Sequence, residues 1–416
     1  MNDSLQSGFL KRVNQSNSYY LKSQLIKNEQ SNLSVFVNYR NLKFDDSAKE
    51  NEPSLNSRIL YNTNLFKQLV QLTTVYETTS GTIAQQEFTY LEVEPGQGVY
   101  AWNDYNNNGI QELQEFEIAP FPDQAKYVRV FLPNQVFVKT NKNKFSQSII
   151  FNGLVWQNET GFKKFISHFY NQTSLLVERK NIRSSNEFNL NPFEGSSENV
   201  LGQNNSFRNN LYFNRGKQKH STTYSYLTNS VKNLLSIGSQ ENNLRSHQLQ
   251  YMHLLKKSWL LQLNSSIGTS ESISDNYATR NYFINSYELA PKISYLFSKN
   301  ASLDVFYEFK NQENTINLME KATQNKFGTS FTFNSEKGFS INGEYAYYDN
   351  NFTGNETSPV GFQMLKGLQN GKNGVWRLLL QKNITQYLDV NVNYQGRKSE
   401  TSNTIHIGSI QLRAYF

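Results

Sequence analysis

Apolar and polar residues alternate with a period of two along most of this chain. Leu388, Val390, Val392 and Tyr394 alternate with Asp389, Asn391, Asn393 and Gln395. Leu303, Val305, Tyr307 and Phe309 do the same against Ser302, Asp304, Glu308 and Lys310, with only Phe306 interrupting the polar set. Further stripes are Phe327, Phe331 and Phe333; Ile341, Tyr345 and Tyr347 against Asn342 and Glu344; and Trp259, Leu261, Leu263 and Ile267. Successive side chains of a strand point to opposite faces, so this period predicts β-strands with one apolar and one polar face. Residues 281–298 keep one parity through Phe283, Tyr287, Leu289, Pro291, Ile293, Tyr295 and Phe297, which predicts one long strand. Pro291 has no ladder donor and is the expected place for a bulge. At the C-terminus Gly408, Ile410, Leu412, Ala414 and Phe416 alternate with Ser409, Gln411, Arg413 and Tyr415. A last strand that ends on an aromatic is the pattern of an outer-membrane barrel, with Phe416 as the insertion signal for the barrel-assembly machinery.

The connections fall into two classes. Short turns are expected near 157–162, 214–218, 256–258, 298–301, 334–338 and 383–386. Longer polar loops are expected near 181–204, 231–243, 270–280, 312–324, 350–373 and 398–403. Short turns at one end and long loops at the other are the signature of a transmembrane barrel, not of a soluble sandwich. About thirteen strands follow residue 143, each long enough to span a bilayer when tilted. About four more are expected at 19–28, 32–45, 56–64 and 67–80, and residues 1–18 can supply another, giving about 16–18 in all, where even counts are the rule. The fold class expected is an all-β, antiparallel transmembrane β-barrel, complete in this chain or part of a larger one. Its expected divisions are N-terminal barrel strands in 1–80, an extracellular insertion in 81–142 and C-terminal barrel strands in 143–416.

Composition agrees with this pattern. Hydrophobic residues are 37% of the chain, aromatics 14% and charged residues 18%. Mean hydropathy is −0.65, and no apolar run is long enough for a transmembrane helix. Aromatic abundance suits girdles at the two membrane interfaces. Cysteine is absent, which removes disulfide and thiol chemistry. The net charge of +7 is spread along the chain, so it suggests solvated loops or a lipopolysaccharide-facing rim and not a nucleic-acid site. The first residues, MNDSLQSGFLKRV, do not have the basic-then-apolar pattern of a signal peptide, and a longer parent chain is expected.

One motif carries specific chemistry. Asp104, Asn106, Asn108, Gly109, Glu112 and Glu115 match the twelve-position calcium loop D-x-[DN]-x-[DN]-G-x₅-E at every specified position. Asp104, Asn106 and Asn108 offer oxygens at positions 1, 3 and 5, and Gly109 allows the sharp turn. Ile110 offers its carbonyl, Glu112 acts through water, and Glu115 closes the site bidentately. Neither flank has a helical pattern, so the expectation is a structural Ca²⁺ clamp between strands, of modest affinity because two ligands are neutral. The other reading is an Asn-Gly turn with acidic neighbours. The five histidines, His168, His220, His247, His253 and His406, have no zinc-ligand spacing. A Ser/His/Asp site has no specific signal, and EPGQG and GLQNGKNG lack the Lys-Ser/Thr of a phosphate loop, so no enzymatic role is expected.

Three stretches resemble a known group: EVEPGQGVYAWNDYNNNGIQELQEFEIAPFPDQAKYVRVFLP (92–133), GFQMLKGLQNGKNGVWRLLLQ (361–381) and YQGRKSETSNTIHIGSIQLRAYF (394–416). They are similar to the C-terminal portion of large, uncharacterised outer-membrane β-barrel-type proteins of Bacteroidota-like bacteria. The resemblance implies a cell-envelope location and a barrel fold, and brings no activity or assigned residue. The leading functional expectation is an outer-membrane channel, transporter or surface scaffold, in contact with outer-membrane lipid and lipopolysaccharide and with envelope partners not identified by sequence. The alternative is a soluble, exported all-β glycan-binding protein or adhesin. The two differ in which face of the strands is apolar: outward in a barrel, inward in a sandwich.

Overall fold

The computed structural model describes all residues except 1, 7–8, 47–49, 85–86, 133–136, 184–185, 194–198, 218, 236–237, 336–337, 386 and 416. The terminal aromatic Phe416 therefore lies outside the described residues. In chain order the strands are β1 (Asn2–Gln6), β2 (Phe9–Lys27), β3 (Ser31–Phe44), β4 (Glu52–Leu65), β5 (Val70–Ala84), β6 (Glu87–Glu92), β7 (Tyr100–Trp102), β8 (Phe116–Ile118), β9 (Tyr127–Leu132), β10 (Phe137–Asn152) and β11 (Phe169–Ile182). They continue as β12 (Val200–Phe213), β13 (His220–Leu235), β14 (Gly238–Leu255), β15 (Trp259–Ser274), β16 (Tyr282–Leu296), β17 (Ala301–Asn314), β18 (Lys321–Ser335), β19 (Phe339–Thr353), β20 (Gly371–Thr385), β21 (Leu388–Ser399) and β22 (Ile405–Ala414). Two short helices interrupt them, α1 (Gly161–Ile166) and α2 (Pro359–Leu365). β1–β5 and β10–β22 belong to an 18-stranded sheet, and β6–β9 form a separate 4-stranded sheet. The chain forms two compact units, one of residues 1–87, 132–211 and 226–243, the other of 88–131, 212–225 and 244–416.

In the first unit, β1 to β5, β10 and β11 are joined by antiparallel ladders. Ile59, Tyr76, Phe145 and Val177 stand directly opposite one another across β4, β5, β10 and β11. One residue along, on the other face, stand Arg58, Glu77, Lys144 and Glu178. Their charges alternate, and ion pairs join Arg58 to Glu77 (3.1 Å), Lys144 to Glu77 (3.7 Å) and Lys142 to Glu178 (2.8 Å). Residues 2–6 form β1 and 9–18 the first part of β2, so this segment adds a strand to the sheet among the described residues.

In the second unit, consecutive ladders join β15 to β22. Trp259, Tyr295, Leu303, Phe331, Gly343, Leu378, Tyr394 and Gly408 lie in one unbroken row across the eight strands. Trp259, Leu303 and Phe331 in this row are exposed. On the opposite face run Ser294, Asp304, Ser330, Glu344, Arg377 and Gln395. Here apolar side chains of the row are exposed, and buried positions on the strands are often polar, with Asn314, Asn373 and Ser294 among the most buried residues. Phe306, the exception on the polar face, lies against Gly328, where any Cβ would strike its ring, and Lys326 Nζ stands 5.1 Å from that ring.

Several local expectations need correction. Pro291 does not produce a bulge: the β16–β17 register is the same before and after it, and the ladder simply lacks a pairing there, as a residue without N–H requires. The connection expected as a short turn near 157–162 runs from 153 to 168 and contains α1. The loop expected at 231–243 is strand on both sides, β13 continuing to Leu235 and β14 starting at Gly238. Within 350–373, Ser358 caps α2 by accepting from the Gly361 N–H at 3.0 Å, and Pro359 fits the first helical turn. Val360, Met364 and Leu365 of α2 then pack on Ile284, Ala322 and Phe352.

Candidate cation loop and its docking to the second unit

β7 and β8 form a small hairpin, with Tyr100 opposite Ile118 and Trp102 opposite Phe116. Its loop, residues 103–115, is the sequence-predicted calcium loop. Phe116 is buried, stacks on Tyr90 at 4.0 Å and meets Tyr127 edge-on, so an aromatic core fixes the base of the hairpin. The first half of the loop is held by its own side chains. Asp104 accepts the Asn108 N–H at 3.1 Å and the Gly109 N–H at 2.8 Å. Asn106 accepts the Asn108 N–H at 3.0 Å, and Asn108 accepts the Ile110 N–H at 2.6 Å. Gly109 has φ of +70°, the left-handed turn for which glycine is suited.

The second half differs from the expected ligand set. Glu115 is buried, and its carboxylate accepts the Trp102 indole N–H at 2.8 Å and the Tyr105 N–H at 3.3 Å. Glu112 accepts from the side-chain amides of Asn106 (2.9 Å) and Gln114 (2.6 Å). Ile110 is largely exposed. The fold therefore gathers Asp104, Asn106 and Asn108 around one turn, with Glu112 beside Asn106, while Glu115 is held by the indole. Among the described residues, no group of three or more His, Cys, Asp or Glu side chains is poised as a metal cluster. The donor set is all oxygen, which is the chemistry of a hard cation.

Sequence reading missed the groups that anchor this segment. Arg280, just before β16, donates to the Gln114 carbonyl and pairs with Glu117 at 2.5 Å. Burial raises the Glu117 pKa, and the Arg280 charge opposes that shift. Burial raises the Tyr105 hydroxyl further, with the Glu117 charge adding to it. A second clamp joins Arg397 of β21 to Asp123 at 2.6 Å, with the guanidinium 4.4 Å from the Phe121 ring centre. Arg397 has the parity of Asn391, Asn393 and Gln395, so residues 120–123 dock on the polar face of β21. A cavity of about 540 Å³ separates the cation loop from residues 278–280, 317–320 and 355–360, and is lined by Tyr105, Glu112, Glu115, Arg280 and Glu320. No short-range pattern could have paired Arg280 with Glu117 or Arg397 with Asp123, because each pair is brought together only by the sheet.

Comparison with known proteins gives the following. No family model matches the chain, and no curated protein matches it. Among solved structures the chain is similar to the FrpB iron transporter from Neisseria meningitidis, at 9% identity over 92% of this chain and 59% of that one, with a TM-score of 0.44. It is similar to the ferric-catecholate import receptor Fiu from E. coli, at 9% identity over 93% of this chain and 64% of that one, TM-score 0.42. It is also similar to the alcaligin outer-membrane receptor FauA from Bordetella pertussis, at 10% identity over 96% of this chain and 62% of that one, TM-score 0.43. The chain thus spans less than two thirds of the length of these structures.

Proposed function

We propose that this chain is an outer-membrane β-barrel protein of the transport type, with β6–β9 as an internal cover on its polar face. The observation that carries this reading is the row from Trp259 to Gly408, apolar and outward across eight strands, with the polar row from Ser294 to Gln395 behind it. That inversion favours a lipid-facing wall over the soluble glycan-binding or adhesin alternative, whose apolar side chains would face inward. Closure is part of the proposal, since an open strand edge in hydrocarbon leaves backbone groups unsatisfied at several kcal/mol each. The reading places the chain in a Gram-negative outer membrane, among the Bacteroidota-type barrel proteins it resembles. Lipid and lipopolysaccharide surround it, the assembly machinery reads Phe416, further envelope partners bind at its loops, and its role is not enzymatic. Expression behind a signal peptide should give a detergent-extracted, heat-modifiable band. A monomer that stays in aqueous buffer without detergent would overturn the reading.

The same proposal assigns a structural Ca²⁺ to Asp104, Asn106, Asn108, the Ile110 carbonyl, Glu112 and Glu115. The Asp104 and Asn108 turns support it, since they set the first half of the loop before any ion arrives. Binding requires Glu115 to leave the Trp102 indole. Trp102 and Tyr105 then stand close enough to sensitise Tb³⁺ luminescence. Sensitised emission that millimolar Ca²⁺ displaces, and that Glu115→Gln abolishes, is the expected result. Absence of emission from a heat-modifiable sample would reduce the motif to a turn.

A further inference from the structure

The β10–β11 connection departs from its neighbours. In the first unit the connections at the same end, 28–30 and 66–69, are tight turns, whereas this one runs from 153 to 168 and contains α1. α1 has the sequence GFKKFI and presents its largest side chains to solvent: Phe162 is 75% exposed and Phe165 56%. Their rings stack at 6.5 Å, and Phe165 meets Phe169 of β11 at 5.3 Å. Lys163 and Lys164 lie between the two rings in sequence and are exposed. On the neighbouring turn Phe66 is 75% exposed, with Lys67 after it.

The segment is held in this arrangement. Gly153 faces the Ile166 and Phe169 carbonyls so closely that no Cβ would fit. Ser167 closes α1 by donating from its N–H to the Lys163 carbonyl at 3.0 Å and from its hydroxyl to the Lys164 carbonyl at 2.7 Å. Asn152 donates its N–H to the Leu69 carbonyl at 2.7 Å, tying the connection to the 66–69 turn. Glu159 offsets part of the positive charge through Lys163 at 3.7 Å, and Lys164 donates to the Gln157 carbonyl, which leaves its charge unneutralised.

Exposed aromatic rings next to lysines, at the end of strands that carry an apolar row on one face and a charged row on the other, have the chemistry of a bilayer boundary. The rings enter the region below the headgroups, and the ammonium groups meet phosphate. We propose that α1 and the 66–69 turn form an interfacial anchor for anionic phospholipid of one leaflet, with Phe162 and Phe165 below the phosphate level and Lys163 and Lys164 at it. The proposal rests on the membrane reading above, and its test separates the two.

The chain has no cysteine, so Phe162→Cys gives a unique site for an environment-sensitive dye, and Tyr287→Cys gives a second on the outward face of β16. Both proteins are reconstituted in phosphatidylcholine vesicles with and without phosphatidylglycerol. The dye at 162 should be quenched best by nitroxide at the lipid headgroup, and the dye at 287 by nitroxide on the acyl chain. Preference of the 162 dye for nitroxide-labelled phosphatidylglycerol over phosphatidylcholine should fall about fivefold with Lys163→Gln and again with Lys164→Gln, at roughly 1 kcal/mol per lysine. A dye at 162 open to aqueous iodide while that at 287 stays dry would overturn the anchor and leave the membrane reading standing. Both dyes open to iodide would overturn the membrane reading itself. Equal quenching by the two labelled lipids would overturn the anionic preference.

Discussion

The insertion and the β15–β22 wall are built by opposite rules, although both belong to the same unit. In the insertion Phe88, Ala101, Phe116, Ala125 and Tyr127 are buried and the charged loop faces outward, as in a small water-soluble domain. In the wall Val305 is 58% exposed while Ser294 and Asn314 are buried, and the apolar residues Ile284, Ala322 and Phe352 are buried where α2 packs on the strands. The two regions thus put their apolar side chains on opposite sides of the exposure boundary. The difference teaches that the direction of an alternating pattern, not its strength, separates strands whose apolar face is exposed from strands whose apolar face is buried.

The comparison can be broken at either end. The largest effect is expected from Phe116→Ala, which empties the stacked centre of the insertion at a cost of about 3–5 kcal/mol. Limited proteolysis should then cut within 88–131 while heat-modifiability of the sheet is unchanged. A loss of heat-modifiability would show that the wall depends on the insertion. Next comes charge in the wall. Val305→Arg should cost about 2–4 kcal/mol if the residue lies near the middle of a bilayer. Ser330→Arg, on the polar face, should be close to neutral in the same urea titration in vesicles. Equal effects would remove the distinction between the faces.

Smaller effects should come from the junction. Arg397→Met leaves Asp123 without its cation and should loosen residues 120–123 by roughly 1–3 kcal/mol, read as faster amide exchange. The smallest concerns pH. Burial holds the Glu117 pKa above its ordinary value of about 4.5, so the folded insertion binds this proton more tightly than the unfolded one. Its stability should therefore fall as pH rises from that ordinary value through the raised one, and level off above it. Glu117→Gln should flatten that slope in hydrogen exchange of 88–131, and an unchanged slope would assign it to another group.

Most of the sheet was legible because period-two alternation is a local signal repeated many times. Tyr394 and Asn393, for example, stand on opposite faces as their parity requires. Helices α1 and α2 escaped because GFKKFI and PVGFQML are too short to show a helical period. The turn at 104–110 was also legible, since Asp104, Asn106 and Asn108 accept backbone N–H groups within a few residues of themselves; whether it holds an ion belongs to the proposed function. The position of Glu115 was not, because the indole of Trp102 that holds it comes from the paired strand β7. The arginine clamps were invisible for the same reason on a larger scale.

The row Arg58, Glu77, Lys144 and Glu178 bears on fidelity of assembly. A strand that slips by one residue exchanges its two faces. Slippage of β5 or β10 would carry Glu77 or Lys144 into the row of Ile59, Tyr76, Phe145 and Val177, and each charge would replace an aromatic neighbour on that face. With signs alternating across four strands, the correct register brings every charge beside an opposite one, and a single slip removes two such pairings at once. The ladder therefore specifies one register for these four strands: the aligned state alone keeps each charge beside its opposite.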